Sequence, residues 1–118
     1  MPGKKSEESF WKAVDSLVLE SEIVIDRPKG SHHPRYPEIV YPVDYGFLKN
    51  TTAMDGSGID VWRGTETSGK IDAIVCTVDL RKKDSEIKIL VGCNAAEKAL
   101  IMDFHNRSEL MKAILIER

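Results

Sequence analysis

The chain has 118 residues and a formal net charge of −2 at neutral pH. A chain of this length supports one hydrophobic core, so we predict a single domain over residues 1–118. The near-neutral charge argues against nucleic acid or a membrane surface as a partner, and no apolar run approaches the ~20 residues that span a bilayer. Two cysteines, Cys76 and Cys93, lie in apolar surroundings, which predicts reduced thiols in a cytoplasmic protein.

The predicted elements begin with a helix over about 6–21, whose apolar residues recur at helical spacing. Short β-branched or alternating segments fill about 22–92, with turns rich in glycine and proline between them. The strands are expected at 22–26, 38–41, 44–49, 59–63, 71–80 and 85–92. A second helix over about 94–106 and a closing segment at 108–117, interpreted as a strand, complete a small antiparallel sheet or barrel of the α+β class.

The loop at residues 27–37 combines prolines with cationic side chains, including Lys29 and Arg35. Prolines restrict the backbone and remove hydrogen-bond donors, so this segment is not regular structure. A stiff cationic loop is suited to clamp an anion, and the alternative interpretation is a solvated surface loop. His32 and His33 have no further ligand at zinc spacing.

The segment DGSGID at residues 55–60 places two carboxylates, Asp55 and Asp60, five positions apart on a glycine-rich loop. Such a loop can fold tightly enough for both to approach one hard cation. Mg²⁺ prefers a few carboxylates together with water and phosphate oxygens. The alternative is an ordinary Asp-Gly turn that joins two strands.

A later strand carries Glu86 and Lys88 on one face. If Asp60 shares that face, the site gains a third carboxylate and an ammonium group; the alternative is an exposed ion pair. Tyr45 is either a hydrogen-bond donor to a phosphate oxygen or a half-buried strand residue. His105, near a helix end, is expected to be a surface residue.

Three motifs together resemble the signature of soluble family I inorganic pyrophosphatases. They are YPVDYGF at 41–47 followed by threonine, DGSGIDV at 55–61 and EIK at 86–88. The family patterns are Y-P-x-N-Y-G-[YF], D-G-D-P-x-D-V and D-x-K, and the similarity runs from about residue 24 to 91. The resemblance implies an OB-like β-barrel of about five strands with flanking helices. It also implies Mg²⁺-dependent hydrolysis of diphosphate to two phosphates by a cytoplasmic homo-oligomer.

The resemblance also implies roles for individual residues. The implied catalytic residues are Asp55, Asp60 and Tyr45; the metal ligands are Asp55, Asp60, Glu86 and Asp84; the substrate-binding residues are Asp26, Lys29, Arg35, Tyr45, Lys49 and Lys88. Ser57 replaces the middle aspartate of the family pattern, and Gly58 replaces its proline. The chain is therefore interpreted as a compact, divergent member.

Three other functions remain open from the sequence. The same fold could hydrolyse another phosphoanhydride, or it could bind a phosphate compound or nucleotide without turnover, because the acidic motif lacks one carboxylate. A plain interaction domain that uses the helix bearing Trp11 is the third. Stabilisation by a divalent metal distinguishes the interaction domain from the other functions.

Overall fold

The computed structural model describes residues 2–53 and 56–118, so the predicted ligand Asp55 lies outside the described residues. Eight elements follow one another along the chain. They are α1 (Pro2–Leu19), β1 (Ile23–Arg27), β2 (Asp44–Leu48), β3 (Asp60–Arg63), β4 (Ala73–Asp79), β5 (Asp84–Val91), α2 (Ala95–Asn106) and β6 (Met111–Glu117). The α+β class and the closing strand are confirmed.

The strands form one mixed sheet in the order β1-β2-β3-β5-β4-β6. All neighbours are antiparallel except β3 and β5, which run in the same direction. The predicted antiparallel barrel of about five strands is wrong, because six strands form an open sheet whose described edges are β1 and β6. The parallel pair arises because β5, the second strand of the β4–β5 hairpin, turns back beside β3.

Helix α1 covers one face of the sheet through its aromatic and β-branched residues. Trp11 and Val14 are buried against Ile74 of β4 and Ile89 of β5. Residues three apart on a helix share one side, and alternate residues on a strand share one face. This spacing explains why the apolar stripe of α1 meets these two strand positions.

Helix α2 covers the opposite face, where Ile101 packs with Val75 and Leu90. The helix begins at a capping box: the Asn94 side chain accepts from the backbone N–H of Glu97 at 2.8 Å. In return, Glu97 Oε1 accepts from the backbone N–H of Asn94 at 2.9 Å. These bonds satisfy backbone donors that the first helical turn leaves without partners.

The predicted strand at 38–41 is wrong, because this part of the chain folds back on the preceding loop. His32 and Val40 form only an isolated bridge, and the Ile39 N–H donates to the Tyr36 carbonyl at 2.9 Å. Pro37 has no N–H to offer to a neighbouring strand. The loop therefore satisfies its backbone locally and brings Tyr41 against the body of the sheet.

The two cysteines are free thiols, as predicted. Across residues 2–53 and 56–118, no helix is long and apolar enough to cross a bilayer.

Candidate functional site

A charged and aromatic cluster lies where β2, β3 and β5 meet, and Lys88 is at its centre. The Lys88 ammonium donates to Asp60 Oδ2 at 2.7 Å, to Glu86 Oε2 at 3.0 Å and to the Tyr45 hydroxyl at 2.9 Å. Tyr45 itself donates to Asp60 Oδ2 at 2.6 Å. We call these four residues the Lys88 cluster.

Strand register explains why residues so distant in sequence converge in the Lys88 cluster. The β3–β5 pairing aligns Val61 with Ile89, which brings the preceding residues, Asp60 and Lys88, together. Glu86 lies two positions earlier on β5 and therefore on the same face as Lys88. The structure thus places the two sequence motifs, 55–61 and 86–88, side by side.

The Lys88 cluster is largely shielded from water, with the Lys88 side chain only 7% exposed. Burial alone would lower the pKa of Lys88, but its contacts with Tyr45 and Asp60 outweigh burial and raise this pKa. For the Tyr45 phenol, burial raises the pKa, because it disfavours the negatively charged form. The nearby negative charge of Asp60 raises this pKa further. At neutral pH the cluster therefore holds an ammonium ion and a protonated phenol.

Behind the Lys88 cluster, Trp62 and His105 form a buried pair. The indole Nε1 of Trp62 donates to His105 Nε2 at 3.0 Å, and His105 is only 4% exposed. Burial, together with the positive charge of Lys88, lowers the pKa of His105 to about 3. The expectation of a surface histidine is wrong, because His105 follows buried Ile101 by four residues and shares its side of α2.

The 28–40 loop meets the Lys88 cluster through Tyr41. The Arg27 guanidinium donates to the Tyr41 hydroxyl, and the ring of Tyr41 lies 5.3 Å from that of Tyr45. His33 stacks on Tyr41 with an interplanar angle of 12°. Burial and the charges of Arg27 and Arg35 lower the pKa of His33. Sequence reasoning missed this role of Tyr41, although its place in the YPVDYGF motif was a signal.

The structure leaves the other predicted site residues outside the Lys88 cluster. Lys49 pairs with Glu22 at 3.5 Å, near the turn between α1 and β1. Asp84 lies opposite Asp79 in the β4–β5 hairpin. Asp26 is exposed at the bulge of β1, and Lys29 and Arg35 are exposed on the loop. Their roles stay predictions, as does that of Asp55.

The donor set for a metal is limited within the described residues. No group of three or more His, Cys, Asp or Glu residues there is arranged to hold a metal ion. Asp60 and Glu86 nevertheless direct carboxylate oxygens at one point, the Lys88 ammonium. Mg²⁺ commonly uses one or two carboxylates and completes its coordination with water and phosphate oxygens. The ammonium itself occupies the point on which the two carboxylates converge, so binding of Mg²⁺ by Asp60 and Glu86 stays a prediction.

Similarity to known proteins is found at the level of structure. No family model matches the sequence, and no curated protein matches it. An inorganic pyrophosphatase from Neisseria gonorrhoeae has a TM-score of 0.61 and 19% identity, covering 76% of this chain and 77% of that one. An inorganic phosphatase from Anaplasma phagocytophilum has a TM-score of 0.54 and 16% identity, covering 80% of this chain and 81% of that one.

These similarities confirm the resemblance seen in the sequence at the level of fold. The chain has an inorganic pyrophosphatase-like fold, and the Lys88 cluster lies within it.

Proposed function

We propose that the protein is a Mg²⁺-dependent diphosphatase that hydrolyses inorganic diphosphate to two phosphates. The observation that carries this proposal is the convergence of Asp60, Glu86, Lys88 and Tyr45. These residues come from separate motifs that resemble one enzyme signature, and the fold is that of inorganic pyrophosphatases. Diphosphate carries dense negative charge, and its hydrolysis requires charge neutralisation and a positioned water.

Each residue of the Lys88 cluster has a role in the proposed reaction. Asp60 and Glu86, with Asp55 and Asp84 as further ligands, would hold Mg²⁺. When bound, this ion supplies charge neutralisation and lowers the pKa of a coordinated water. On substrate binding, the Lys88 ammonium and the Tyr45 hydroxyl would each redirect one hydrogen bond, now made within the cluster, to a phosphate oxygen.

In the family pattern the middle aspartate lies close to the attacking water, and Ser57 replaces that aspartate here. The proton of the water therefore needs another acceptor. Asp60 Oδ2 already accepts hydrogen bonds from Tyr45 and Lys88. We therefore assign proton acceptance to Asp55, the other carboxylate of the loop.

The remaining substrate contacts in the proposal come from exposed residues. Lys29 and Arg35 would neutralise the outer phosphate from the 28–40 loop, which follows Arg27 of β1, the residue that donates to the Tyr41 hydroxyl. Asp26 and Lys49, which lie outside the Lys88 cluster, are the remaining substrate contacts in the proposal.

A cytoplasmic location and assembly into a homo-oligomer also belong to the proposal. The free thiols fit a reducing compartment.

The test measures phosphate release from diphosphate by purified protein with and without Mg²⁺. We expect Mg²⁺-dependent turnover, which Asp60→Asn reduces by roughly 100-fold or more. Asp103→Asn is the matched control, because Asp103 is an exposed carboxylate on α2 that pairs only with Arg107 among the described ion pairs. Absence of phosphate release by the folded wild-type protein would refute the proposal.

The missing carboxylate at Ser57 favours one second candidate, a phosphate-binding module without turnover. This candidate predicts saturable binding of diphosphate with Mg²⁺ and no phosphate release. Ser57→Asp distinguishes the two, since restoring the carboxylate accelerates an enzyme whose proton acceptor is suboptimal. A third possibility, hydrolysis of another phosphoanhydride, is tested by including nucleotides and sugar nucleotides among the substrates.

A further inference from the structure

Trp62 connects the Lys88 cluster with helix α2. Its side chain is fully buried, and its ring packs edge-on against the Tyr45 ring, with 4.6 Å between the centroids and 64° between the planes. Its indole Nε1 donates to Nε2 of His105 on α2 at 3.0 Å. Trp62 thus contacts both a member of the cluster and a histidine to which the proposed reaction gives no role.

The hydrogen bond with His105 fixes the orientation of the Trp62 ring. An indole has a single polar group, an N–H that can only donate. Because Trp62 is buried, leaving this N–H without an acceptor is unfavourable. Among the described hydrogen bonds, His105 Nε2 is its acceptor. Other orientations of the ring would lose this bond.

The orientation of Trp62 in turn restricts the position of the Tyr45 ring. The two residues lie opposite each other in the β2–β3 pairing, and opposite residues on antiparallel strands have side chains in contact. Aromatic rings prefer such an edge-to-face arrangement. At the end of the Tyr45 ring, the hydroxyl donates to Asp60 Oδ2 at 2.6 Å and accepts from Lys88 at 2.9 Å. A tilt of the ring would move the hydroxyl away from both partners.

We propose that His105 is a positioning residue for the Tyr45 hydroxyl and acts through Trp62. It does not touch the substrate; it keeps the indole in the orientation that holds the phenol beside Asp60 and Lys88. The inference rests on the proposed function for the role of Tyr45 in the reaction, but the placement of the hydroxyl can be measured without turnover. Helix α2 then contributes to the site as well as to the core.

Two amide variants of His105 form a matched pair. The amide of glutamine reaches about as far as Nε2 of histidine, whereas the amide of asparagine reaches only as far as Nδ1. His105→Gln therefore keeps an acceptor for Trp62, and His105→Asn removes it while the side chain stays polar and uncharged. His105→Leu removes the acceptor with an apolar side chain, so the inference stays testable where one variant fails to fold.

Ile101→Val is the control for a loss of packing in α2. Ile101 is buried on the same side of the helix as His105, one turn earlier. Its shortening should lower Tm by a few degrees and leave the hydrogen bond between Trp62 and His105 in place.

The first readout is phosphate release from diphosphate with Mg²⁺. We expect His105→Asn and His105→Leu to lower kcat/KM roughly tenfold, because a displaced hydroxyl weakens a contact that depends on orientation. His105→Gln should retain most of the wild-type kcat/KM, and Ile101→Val should not change it. An equal loss in Ile101→Val and His105→Asn would overturn the inference, since loss of packing alone would then account for the effect.

Combination with Tyr45→Phe tests whether His105 acts through the hydroxyl. Tyr45→Phe removes the hydroxyl and keeps the ring. In that background, His105→Leu should lower kcat/KM by less than about twofold, because the group that it displaces is already absent. Losses that multiply would show that His105 acts elsewhere and would overturn the inference.

The second readout is the exchange of the Tyr45 hydroxyl proton with solvent. NMR follows it in protein isotopically labelled at the tyrosine Cζ carbons, and Tyr45→Phe identifies the signal. The bond from this hydroxyl to a charged acceptor at 2.6 Å should make exchange slow. We expect His105→Asn and His105→Leu to accelerate exchange roughly tenfold, whereas His105→Gln and Ile101→Val leave it unchanged.

The outcomes separate this inference from the proposed function. Unchanged proton exchange in folded His105→Asn or His105→Leu overturns the inference, whatever the activity. Turnover by the wild type with an unchanged kcat/KM in these variants also overturns it and leaves the function standing. Accelerated exchange in the variants of a wild type that releases no phosphate supports the positioning of Tyr45 by His105 and refutes the hydrolase.

Discussion

His105 is a buried histidine held neutral by its surroundings. Its Nε2 accepts the Trp62 indole proton, so the neutral ring carries its own proton on Nδ1. That Nδ1 is buried and has no partner among the described residues. Burial disfavours a charged imidazole, and a second proton would also place a positive charge close to Lys88; together these effects lower the pKa of His105 to about 3.

This lowered pKa predicts that the protein loses stability in mild acid. The unfolded chain binds a proton at His105 below pH ~6.5, whereas the folded protein does not until about pH 3. Each unit by which the pH falls within this window therefore lowers the unfolding free energy by up to about 1.4 kcal/mol. His105→Gln keeps an acceptor for Trp62 but does not titrate, so its urea-unfolding free energy should fall less steeply from pH 6.5 to 4.

His32→Gln is the control for this pH dependence, because His32 is exposed on the loop. We expect His105→Gln to change the slope with pH more than His32→Gln does. Identical slopes for wild type and His105→Gln would contradict the role of His105.

The Lys88 cluster could be predicted from the sequence, whereas the His105–Trp62 pair could not. Asp60, Glu86 and Lys88 lie in short motifs whose residue types are typical of phosphate and metal chemistry. A single histidine on a helix carries no such pattern. Its four-residue spacing from Ile101 was the available signal, but apolar spacing alone does not identify a polar residue as buried.

At the scale of elements, β1 lies unusually close to β2 at Gly46. A Cβ at this position would overlap the backbone carbonyl oxygen of Val24 on β1. The glycine of the YPVDYGF motif is therefore required for strand pairing. Because β1 is an edge strand that pairs with β2 alone in the sheet, we expect a displacement of β1 to leave the other strand pairs in place.

Gly46→Ala should displace β1 and lower the unfolding free energy by about 3 kcal/mol, since the overlap involves backbone that cannot rotate away. Amides of β1 should lose hydrogen-exchange protection, while those of β4 and β5 keep it. Gly69→Ala is the control: it has open space at Cβ and a φ of +64°, so it should cost only about 1 kcal/mol. Equal costs would contradict the close approach of β1.

Element boundaries followed from the sequence wherever a local pattern was strong. The capping box at Asn94 and the alternation of β5 are local patterns, and both elements formed within a few residues of the prediction. The segment at 38–41 was misjudged because its backbone folds back on the preceding loop, with one isolated bridge from Val40 to His32, instead of pairing with a strand.

At the scale of the whole molecule, the open sheet could not be read from local patterns. Antiparallel hairpins leave turn signals, but the parallel β3–β5 pair joins strands separated by the whole of β4. Its residues pack on both faces of the sheet: Val61 and Ile89 lie in the core under α1, and Trp62 and Leu90 lie in the core under α2. The same pairing creates the Lys88 cluster, so the site depends on contacts between segments distant in sequence.

A further long-range contact joins α1 to the last residue of the sequence. Arg118 donates from Nη1 and Nη2 to the two carboxylate oxygens of Asp15, each at 2.9 Å. Its guanidinium lies 5.7 Å from the centre of the Trp11 ring, and its backbone N–H donates to the Asp72 carbonyl at 2.7 Å. Arg118 thus connects α1 with the segment that precedes β4.

Exchanging these two charges tests whether the contact holds α1 on the sheet. Asp15→Arg and Arg118→Asp each place like charges together, so each should lower Tm by a few degrees and increase hydrogen exchange in α1. The double variant restores an opposite-charge pair and should recover most of the loss. The recovery should shrink in 1 M NaCl, where the Debye length is about 3 Å. Additive losses in the double variant would show that Trp11 and the other apolar contacts hold α1 without help from the ion pair.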